Sequence, residues 1–497
     1  MGGTLTLASQ VKFDSFNPYI LKGIAAPYIN LLFETLMTPS LDEPASHYGL
    51  LAESIEYPED KSSTTFTLNA KARWHDGRPV TVDDVIYSFT MLTTQGNPNY
   101  AQYYADVVRT AQTGPRSVTF YFRPGSNPEL PHILGQLPVI PKHFFEKRGF
   151  DRPLREPPVG SGPYRIREFA MGQRITYVRD PDYWGWDLPV NRGQYNFEFI
   201  KYIIYLDNEV LFQGFKAGEF DFHEETSASR WATEYTGGQF ADGLLVKTAI
   251  PDDTPQGFQG LFFNTRRPMF RDPRVRKALS LVFDFEWMNK VLFFGNYKRT
   301  KSYFENSVFA AYLSGLPSEQ ELTLLEPWRD ELPPEVFTEV YAPSVTDGSG
   351  NIRRQIREAK EILAEAGYTV ADGRLVDAAG NPMRIEILLY DPSFERIAAP
   401  YVEKLQQLGI DAFFRTVDRT QWVKRVEQFD FDMVNSGIGQ SFSPGNEQRY
   451  FWGSRAADMP GSYNFSGIKN PAVDALIDHI IAARDFSELK TACRALD

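Results

Sequence analysis

The sequence predicts an α/β protein of more than one domain, and three observations carry that expectation. Residues 383–436 alternate strand and helix patterns as βαβαβ. The chain has 497 residues, more than one hydrophobic core encloses. Between residues 250 and 260 lies a breaker-rich stretch (Pro251, Asp252, Asp253, Pro255, Gly257, Gly260) that reads as a domain boundary.

The first clear unit is residues 51–94. Thr64 to Leu68 alternates as a strand, and Asp76-Gly77 signals a tight turn. Thr81 is placed to cap a helix, with Asp84 three residues on as a near capping box. Val82, Val85, Ile86, Phe89 and Leu92 then recur at helical spacing. Val118, Phe120 and Phe122 mark a second alternating strand. The proline-rich stretch 124–158 reads as surface loops around a short helix near residues 141–150. Gly160-Ser161-Gly162-Pro163-Tyr164 is a rigid turn feeding a strand at 165–169. A strand at 199–205 leads to Asp207, the expected cap of a helix over 208–217 closed by Gly218. Phe220-Asp221-Phe222 reads as a short strand.

Past the boundary, residues 261–264 read as a strand. Asp272-Pro273 opens a helix with its cap and N1 proline in place, burying Val275, Ala278, Leu279 and Val282. Met383, Ile385, Ile387 and Leu389 alternate as a strand. Ala398, Val402, Leu405 and Leu408 mark a helix ended by Gly409. A strand over 412–417, a helix capped by Asp418 and a third strand over 431–435 complete the βαβαβ pattern. Such strands are expected to be parallel with right-handed crossovers, and ligands of such sheets sit just past the strand C-termini. The residues from Asn435 to Ser443 are expected to form the loop at that place, with Gly437 and Gly439 allowing close backbone approach.

Composition narrows the function. The net charge is −12 with no basic stripe, which argues against a nucleic-acid partner. A single cysteine, Cys493, excludes an internal disulfide, and no Cys/His cluster has zinc spacing. No apolar run approaches the ~20 residues of a membrane span. Met1-Gly2-Gly3 enters a strand-like segment directly, as expected of a mature protein given an initiator methionine. Gly2 and Thr6 fit a myristoylation pattern formally, as many short matches do by chance. The sequence has no Gly-x-Ser-x-Gly elbow, His-Glu-x-x-His helix or glycine-rich phosphate loop. A hydrolase built on a carboxylate pair is therefore only a distant alternative.

Several segments resemble the bacterial extracellular solute-binding proteins of family 5, the oligopeptide and dipeptide type. The resemblance runs from Leu51-Ala52-Glu53-Ser54 through Trp74-His75-Asp76-Gly77-Arg78-Pro79 to Asp83-Asp84-Val85-Ile86-Tyr87-Ser88-Phe89. It continues at Gly160-Ser161-Gly162-Pro163-Tyr164, at Phe263-Asn264-Thr265 and at Asp272-Pro273-Arg274-Val275-Arg276-Lys277-Ala278-Leu279. Arg299-Thr300-Lys301-Ser302-Tyr303-Phe304-Glu305-Asn306-Ser307 and Glu326-Pro327-Trp328-Arg329-Asp330-Glu331-Leu332-Pro333 resemble a subgroup serving importers of microcin C-like peptides and muropeptides. The resemblance implies an α/β clamshell of the type II periplasmic-binding-protein class, with mixed sheets flanked by helices and a ligand cleft between two lobes. Lobe I is expected over residues 1–46 and 151–255, an extra subdomain over 47–150, and lobe II over 256–497. The implied protein is a non-catalytic, monomeric periplasmic subunit. It needs no cofactor or metal and delivers short peptides to an ABC permease in the inner membrane.

The expected ligand-binding residues follow from the resemblance together with the switch-point argument. They are Phe16 and Asn17 after the first strand, Glu225 and Trp231, and Tyr303, Phe304 and Asn306. Asn435, Gly437, Ile438, Gly439, Gln440, Ser441 and Phe442 complete the set. Bland alternatives stand beside them: an Asx turn at residues 14–18, core aromatics at 303–304, and an exposed loop at 223–231. His223-Glu224-Glu225 begins like a zinc motif but lacks the second histidine. Arg266-Arg267 is either a carboxylate anchor or, more simply, a solvated surface pair. Trp74-His75-Asp76-Gly77 is read as a structural turn.

Two departures from the family bear on specificity. Oligopeptide binders carry an aspartate after the last βαβαβ strand that pairs with the peptide's free amino terminus, and Ser441 falls at that place here. A hydroxyl does not pair an ammonium as a carboxylate does, so a capped peptide is expected, with a sugar or a metal chelate as the alternative solute. The sequence also stops at Leu496-Asp497, inside a helix begun near Phe486, where family members continue and return a strand to lobe I.

Overall fold

The structure is a computed structural model that describes residues 2–41, 43 and 46–497, so Met1 and the reading of the start that rests on it lie outside the described residues. The chain divides into two units. One holds Met1–Glu225 and Gly237–Val246, and the other holds Thr226–Thr236 and Lys247–Asp497.

In the first unit, the strand Thr4–Ser9 runs parallel to Phe199–Ile204. That strand pairs antiparallel with Arg174–Arg179, which pairs with Tyr164–Ala170. A second, wholly antiparallel sheet orders Ala52–Glu56, Ser63–Leu68, Ser117–Phe122 and Val107–Gln112. The helix Val82–Gln95 begins as expected, with Thr81 and Asp84 forming a full capping box. Asp84 does more than cap. Its carboxylate also accepts from Trp74 Nε1 at 3.3 Å and from Lys142 N at 2.9 Å, joining the turn, the helix and the next segment. The Phe89 ring then meets Phe120 of the sheet at 5.5 Å. The expected strand at Phe220–Phe222 does not form. Asp221 Oδ2 takes the Thr6 N–H at 2.6 Å, and what pairing remains is Asp221 N donating to Thr6 O at 2.8 Å and an isolated bridge between Leu7 and Phe222. A side chain has occupied the donor that a strand would have paired with.

Two of the sequence's recognisable segments meet at one buried point of this unit. The Leu32 carbonyl accepts the N–H groups of Ser161 at 2.9 Å and Gly162 at 3.0 Å. His75 N donates to Gly160 O at 2.7 Å, Gly160 N donates to His75 Nδ1 at 3.1 Å, and His75 Nε2 contacts Gly162 O at 2.8 Å. A Cβ on Gly160 would lie 2.0 Å from the Leu32 oxygen, so this close backbone crossing needs glycine. Two residues on, Glu34 is buried and accepts from Tyr183 Oη and from Trp184 Nε1 at 3.0 Å. The same Trp184 N–H reaches Ser161 O at 3.0 Å.

In the second unit the βαβαβ pattern is realised. Arg384–Leu389 pairs parallel with Asp411–Thr416 on one side and with Met433–Ile438 on the other. Helices Glu395–Gln407 and Arg419–Glu427 make the crossovers, the second capped by Asp418. Phe258–Phe263 extends the sheet antiparallel to Met433–Ile438. Phe270, Val275, Leu279, Ile385, Ile387 and Leu405 form a fully buried core between sheet and helices. Each such side chain contributes about 1.5–3 kcal/mol of burial.

Two strand boundaries differ from expectation. The last strand starts at Met433 rather than 431 and continues to Ile438, so Asn435 to Ile438 are strand and not loop. Its start is set by tethers. The Phe431 carbonyl accepts from Asn264 Nδ2 at 2.9 Å, and Asp432 Oδ2 accepts from Glu386 N at 3.0 Å. The strand expected at 261–264 begins earlier, at Phe258, inside the breaker-rich stretch. Gly257 permits this with φ +66°, where a Cβ would meet Ile438 O at 2.1 Å.

Glu34 makes stability pH-dependent. Burial raises its pKa from 4.5 to about 8, and the hydrogen bonds from Tyr183 and Trp184 offset only part of that. The folded state therefore keeps a proton that the unfolded chain releases near 4.5. This stabilisation is complete below about pH 4.5 and is lost as pH rises toward 8, at up to about 1.4 kcal/mol per pH unit. Denaturant titrations across this range are expected to show a steeper loss of unfolding free energy for the wild type than for Glu34→Gln. Parallel curves would exclude Glu34 as the titrating group.

Candidate functional site

Parallel pairing gathers the C-terminal ends of Arg384–Leu389, Asp411–Thr416 and Met433–Ile438 at one end of the second unit's sheet. The pairing of Met433–Ile438 with Arg384–Leu389 is short, placing Met433 opposite Ile387 and Val434 opposite Leu388. Residues 436–438 overshoot that neighbour and are held on their other edge alone, opposite Gly260, Gln259 and Phe258. The Ile438 carbonyl faces Gly257. By the alternation of antiparallel pairs, the N–H and C=O of Gly437 then turn to the open edge. Gly437 is exposed, and Gly439 beyond it has no atom within 4 Å of where a Cβ would stand.

An aromatic wall stands beside this edge. The Tyr303 ring lies 5.0 Å from Phe258 and 4.8 Å from Trp452. Trp452 Nε1 donates to Gln448 Oε1 at 3.1 Å, and Gln448 Nε2 donates to Gln440 Oε1 at 2.7 Å. Gln440 is thereby tied to the wall. Tyr303 and Phe442 are each 41% exposed, large aromatic surface for a unit with a well-filled core. Ser441 is exposed, and its Oγ accepts from Ser443 N at 3.2 Å.

The loop that carries Tyr303 is fixed from two directions. Asp497 accepts from Ser302 Oγ at 2.6 Å, Tyr303 N at 2.7 Å and Ala311 N at 2.8 Å. Burial raises the Asp497 pKa, and these donors pull it back. Asn306, in the left-handed region at φ 57°, donates from Nδ2 to the carbonyls of Asp252 and Thr254, both at 3.0 Å. Gln256 N donates to Glu305 O at 2.9 Å. Segments 252–258, 302–306 and 436–452 are thus one assembly.

The residues singled out from sequence fall into distinct settings. Tyr303, Asn306, Gly437, Gly439, Gln440, Ser441 and Phe442 are brought together. Asn435 sits within the strand opposite Leu261. Ile438 and Phe304 are buried in the second unit, with Phe304 against Phe309. Trp231 also belongs to that unit, with the Lys247 ammonium 4.4 Å from its ring centroid. Phe16, Asn17 and Glu225 lie in the first unit. Phe16 is fully buried with its ring 4.9 Å from Phe169. Asn17 is buried, donating from Nδ2 to Phe150 O at 2.7 Å and accepting Tyr19 N at 3.1 Å. The Glu225 carboxylate lies 3.6 Å from His223 Nε2. Of the two arginines, Arg266 is not a solvated surface residue, while the half-exposed Arg267 does hold carboxylates, those of its own chain. Arg266 donates to the carbonyls of Ala457, Asn464 and Phe465 and stacks 3.7 Å over Phe429, while Arg267 pairs with Asp430 and Asp432.

Sequence reasoning missed Phe258, Gln448, Trp452 and Asp497. Asp272-Pro273 carried a cap signal, but nothing local marks a carboxylate at the end of one helix as the anchor of a loop nearly two hundred residues earlier. Asp497→Ala is expected to lower the unfolding free energy by about 2–3 kcal/mol, by stranding three donors. Unchanged thermal and denaturant midpoints would show that the clasp contributes nothing.

Comparison with known proteins agrees with this architecture. The profile of the bacterial extracellular solute-binding proteins, family 5, middle region, matches residues 47–459. The chain is 44% identical to the uncharacterized protein y4wM of Sinorhizobium fredii, across all of this chain and 76% of that protein. It is 42% identical to a probable peptide-binding protein, YejA, and 38% identical to the peptidoglycan-binding protein YepA, both of Agrobacterium fabrum. These two matches also span all of this chain, with 82% and 83% of those proteins. Among solved structures it resembles a periplasmic oligopeptide-binding protein of Thermotoga maritima with a TM-score of 0.74 at 20% identity, covering 100% of this chain and 88% of that one. The oligopeptide-binding protein AppA of Bacillus subtilis, in complex with a nonapeptide, gives 0.67 at 20% identity, covering 100% and 90%. A periplasmic murein tripeptide binding protein, MppA, gives 0.65 at 17% identity, covering 99% and 88%. The fold is the two-lobed one of type II periplasmic binding proteins, and this chain is a non-catalytic member of the bacterial extracellular solute-binding proteins, family 5.

Proposed function

We propose that this protein captures short peptides in the periplasm, as a monomer, and delivers them to the membrane permease of an ABC importer. The observation that carries the reading is the open backbone edge at residues 436–438 beside the wall of Phe258, Tyr303 and Trp452. An extended peptide pairs with such an edge through its main chain, and its side chains project alternately to either face. Main-chain pairing is indifferent to side-chain identity, which suits an importer of varied peptides. A sugar could stack on the wall, but it would leave the amide and carbonyl of Gly437 without the ladder they are set out for.

The finer reading is a peptide with a capped amino end, such as a muropeptide or a microcin C-like peptide. Ser441, uncharged, supports it, because a hydroxyl offers no carboxylate to pair a free ammonium. The peptidoglycan-binding name of one relative supports a cell-wall peptide as the ligand.

Gentle denaturation of the purified protein, followed by mass spectrometry, is expected to release short peptides carrying a lactoyl, formyl or sugar cap. An empty extract, with no thermal shift on adding capped or free peptides, would overturn the peptide reading. Gly439→Val is expected to leave the melting temperature within about 2 °C, because the Cβ enters open space, while weakening peptide binding by about tenfold or more. Undiminished affinity would move the site away from this edge.

A further inference from the structure

Asp284 caps the helix Phe285–Val291 and is only 3% exposed. Its Oδ1 accepts from Trp287 N at 3.2 Å and from Thr346 Oγ1 at 2.5 Å. Its Oδ2 is buried and has no hydrogen-bond partner among the described residues. No other carboxylate oxygen of the described residues is left in this way. The comparably buried Asp84 has Lys142 N on one oxygen and Thr81 N on the other, both at 2.9 Å. Asp180 divides its oxygens between Asp182 N and the Arg165 guanidinium. A buried carboxylate oxygen without a partner is costly, so a group outside these side chains completes Asp284.

A second carboxylate stands beside it. Glu286 Oε2 accepts from Thr346 N at 3.0 Å and meets Thr346 Oγ1 at 3.1 Å. The threonine hydroxyl has one hydrogen, so it serves Asp284 or Glu286 but not both. The remaining contact sets oxygen against oxygen with no proton between them. Two like charges thus flank one hydroxyl where water screens them poorly. The cations nearby are otherwise engaged. Arg299 acts on Glu286 through space while its Nη1 donates to Phe283 O at 3.4 Å, and Lys290 acts on Asp347.

The loop that begins at Thr346 is laid closely on the start of the helix. Gly348 and Gly350 have φ of +69° and +80°, and a Cβ on Gly350 would lie 2.9 Å from Trp287 Cδ1. Asp347 is exposed and spends its Oδ1 on Ser349 N at 2.9 Å. Among the described residues no third acidic, histidine or cysteine side chain completes the group. The donors are therefore two carboxylates and a hydroxyl, all oxygen, which suits a hard cation and not a zinc-like one. Calcium accepts irregular oxygen sets of varied number, whereas magnesium demands a near-octahedral one and keeps its waters.

We propose that Asp284, Glu286 and Thr346 form a calcium site, in which the ion takes Asp284 Oδ2 and a Glu286 carboxylate oxygen and water fills the remaining positions. The ion offsets the repulsion between the carboxylates and fastens the loop to the helix Phe285–Val291. Two protein carboxylates imply weak binding, with a dissociation constant of about 0.1–1 mM, the range of modules that work outside the cell. The assignment does not depend on the peptide reading.

The test uses the full chain freed of metal by chelator and then titrated with terbium, with excitation of tryptophan. Trp287 donates its N–H to Asp284, so terbium at this site is expected to emit strongly. Calcium is expected to displace it at about 0.1–1 mM, and magnesium at the same concentration is not. Calcium at about 10 mM is expected to raise the melting temperature by about 2 °C or more. Asp284→Asn keeps a capping side chain, and it and Glu286→Gln are each expected to lose both responses, while Asp347→Asn keeps them. Anomalous scattering from terbium-soaked crystals locates the ion without any substitution, and density beside Asp284 Oδ2 is expected. No calcium response in the wild type overturns the assignment and leaves water as the partner of Asp284. A response that survives in both Asp284→Asn and Glu286→Gln, density only elsewhere, or equal displacement by magnesium overturns it as well.

Discussion

The short parallel pairing between Met433–Ile438 and Arg384–Leu389 is the constraint on which the candidate site depends. Two register pairs hold the strand, and its last three residues run on without that neighbour. A longer pairing would have consumed the edge, and a shorter one would have left the strand to be placed by Phe258–Phe263 alone. The tethers at its start set the count. The Phe431 carbonyl and the Asp432 carboxylate are held by Asn264, Arg267 and Glu386 N, so pairing cannot begin earlier. What emerges at the far end follows from what is pinned at the near one.

The site is otherwise a set of loops made rigid by side-chain to backbone bonds. Asp497 anchors 302–311, Asn306 anchors 252–254, and Gln448 links Gln440 to Trp452. Each link satisfies donors or carbonyls that have no ladder to join, the usual obligation of loops packed near a core. Ordering these loops before a ligand arrives removes part of the entropic cost of binding. Tyr303, backed by Phe258 and the buried Trp452, then presents stiff aromatic surface that needs little further ordering.

In the first unit the backbone crossing of Leu32 and Gly160 plays a comparable part at the core. One carbonyl takes two N–H groups, an imidazole closes the other side, and a buried carboxylate two residues on holds Tyr183 and Trp184. The glycine–serine–glycine string and the tryptophan–histidine–aspartate–glycine string are recognisable in the sequence because they pack on each other. Sterics and hydrogen bonding account for both strings, and ligand contact is not needed to explain them.

How much was legible depended on range. Helix caps at Thr81, Asp207, Asp272 and Asp418 were readable because a cap is a contact between residues two or three apart. The βαβαβ alternation was readable because side-chain period is a local property. Phe220–Phe222 misled because its pattern is that of a strand, while a side-chain bond from Asp221 to Thr6, distant in sequence, ended the ladder. Asn435 to Ile438 read as loop because glycines signal breaks, although they lie in a strand whose neighbour accepts them. By itself, then, the sequence determined the periodicities, the caps and the segments that carry the family resemblance. Only the tertiary structure decided where strands stop pairing, and that Asp497 would hold Tyr303. Those outcomes are set by contacts between residues far apart in the chain, and no local pattern encodes which distant group will arrive to satisfy a donor.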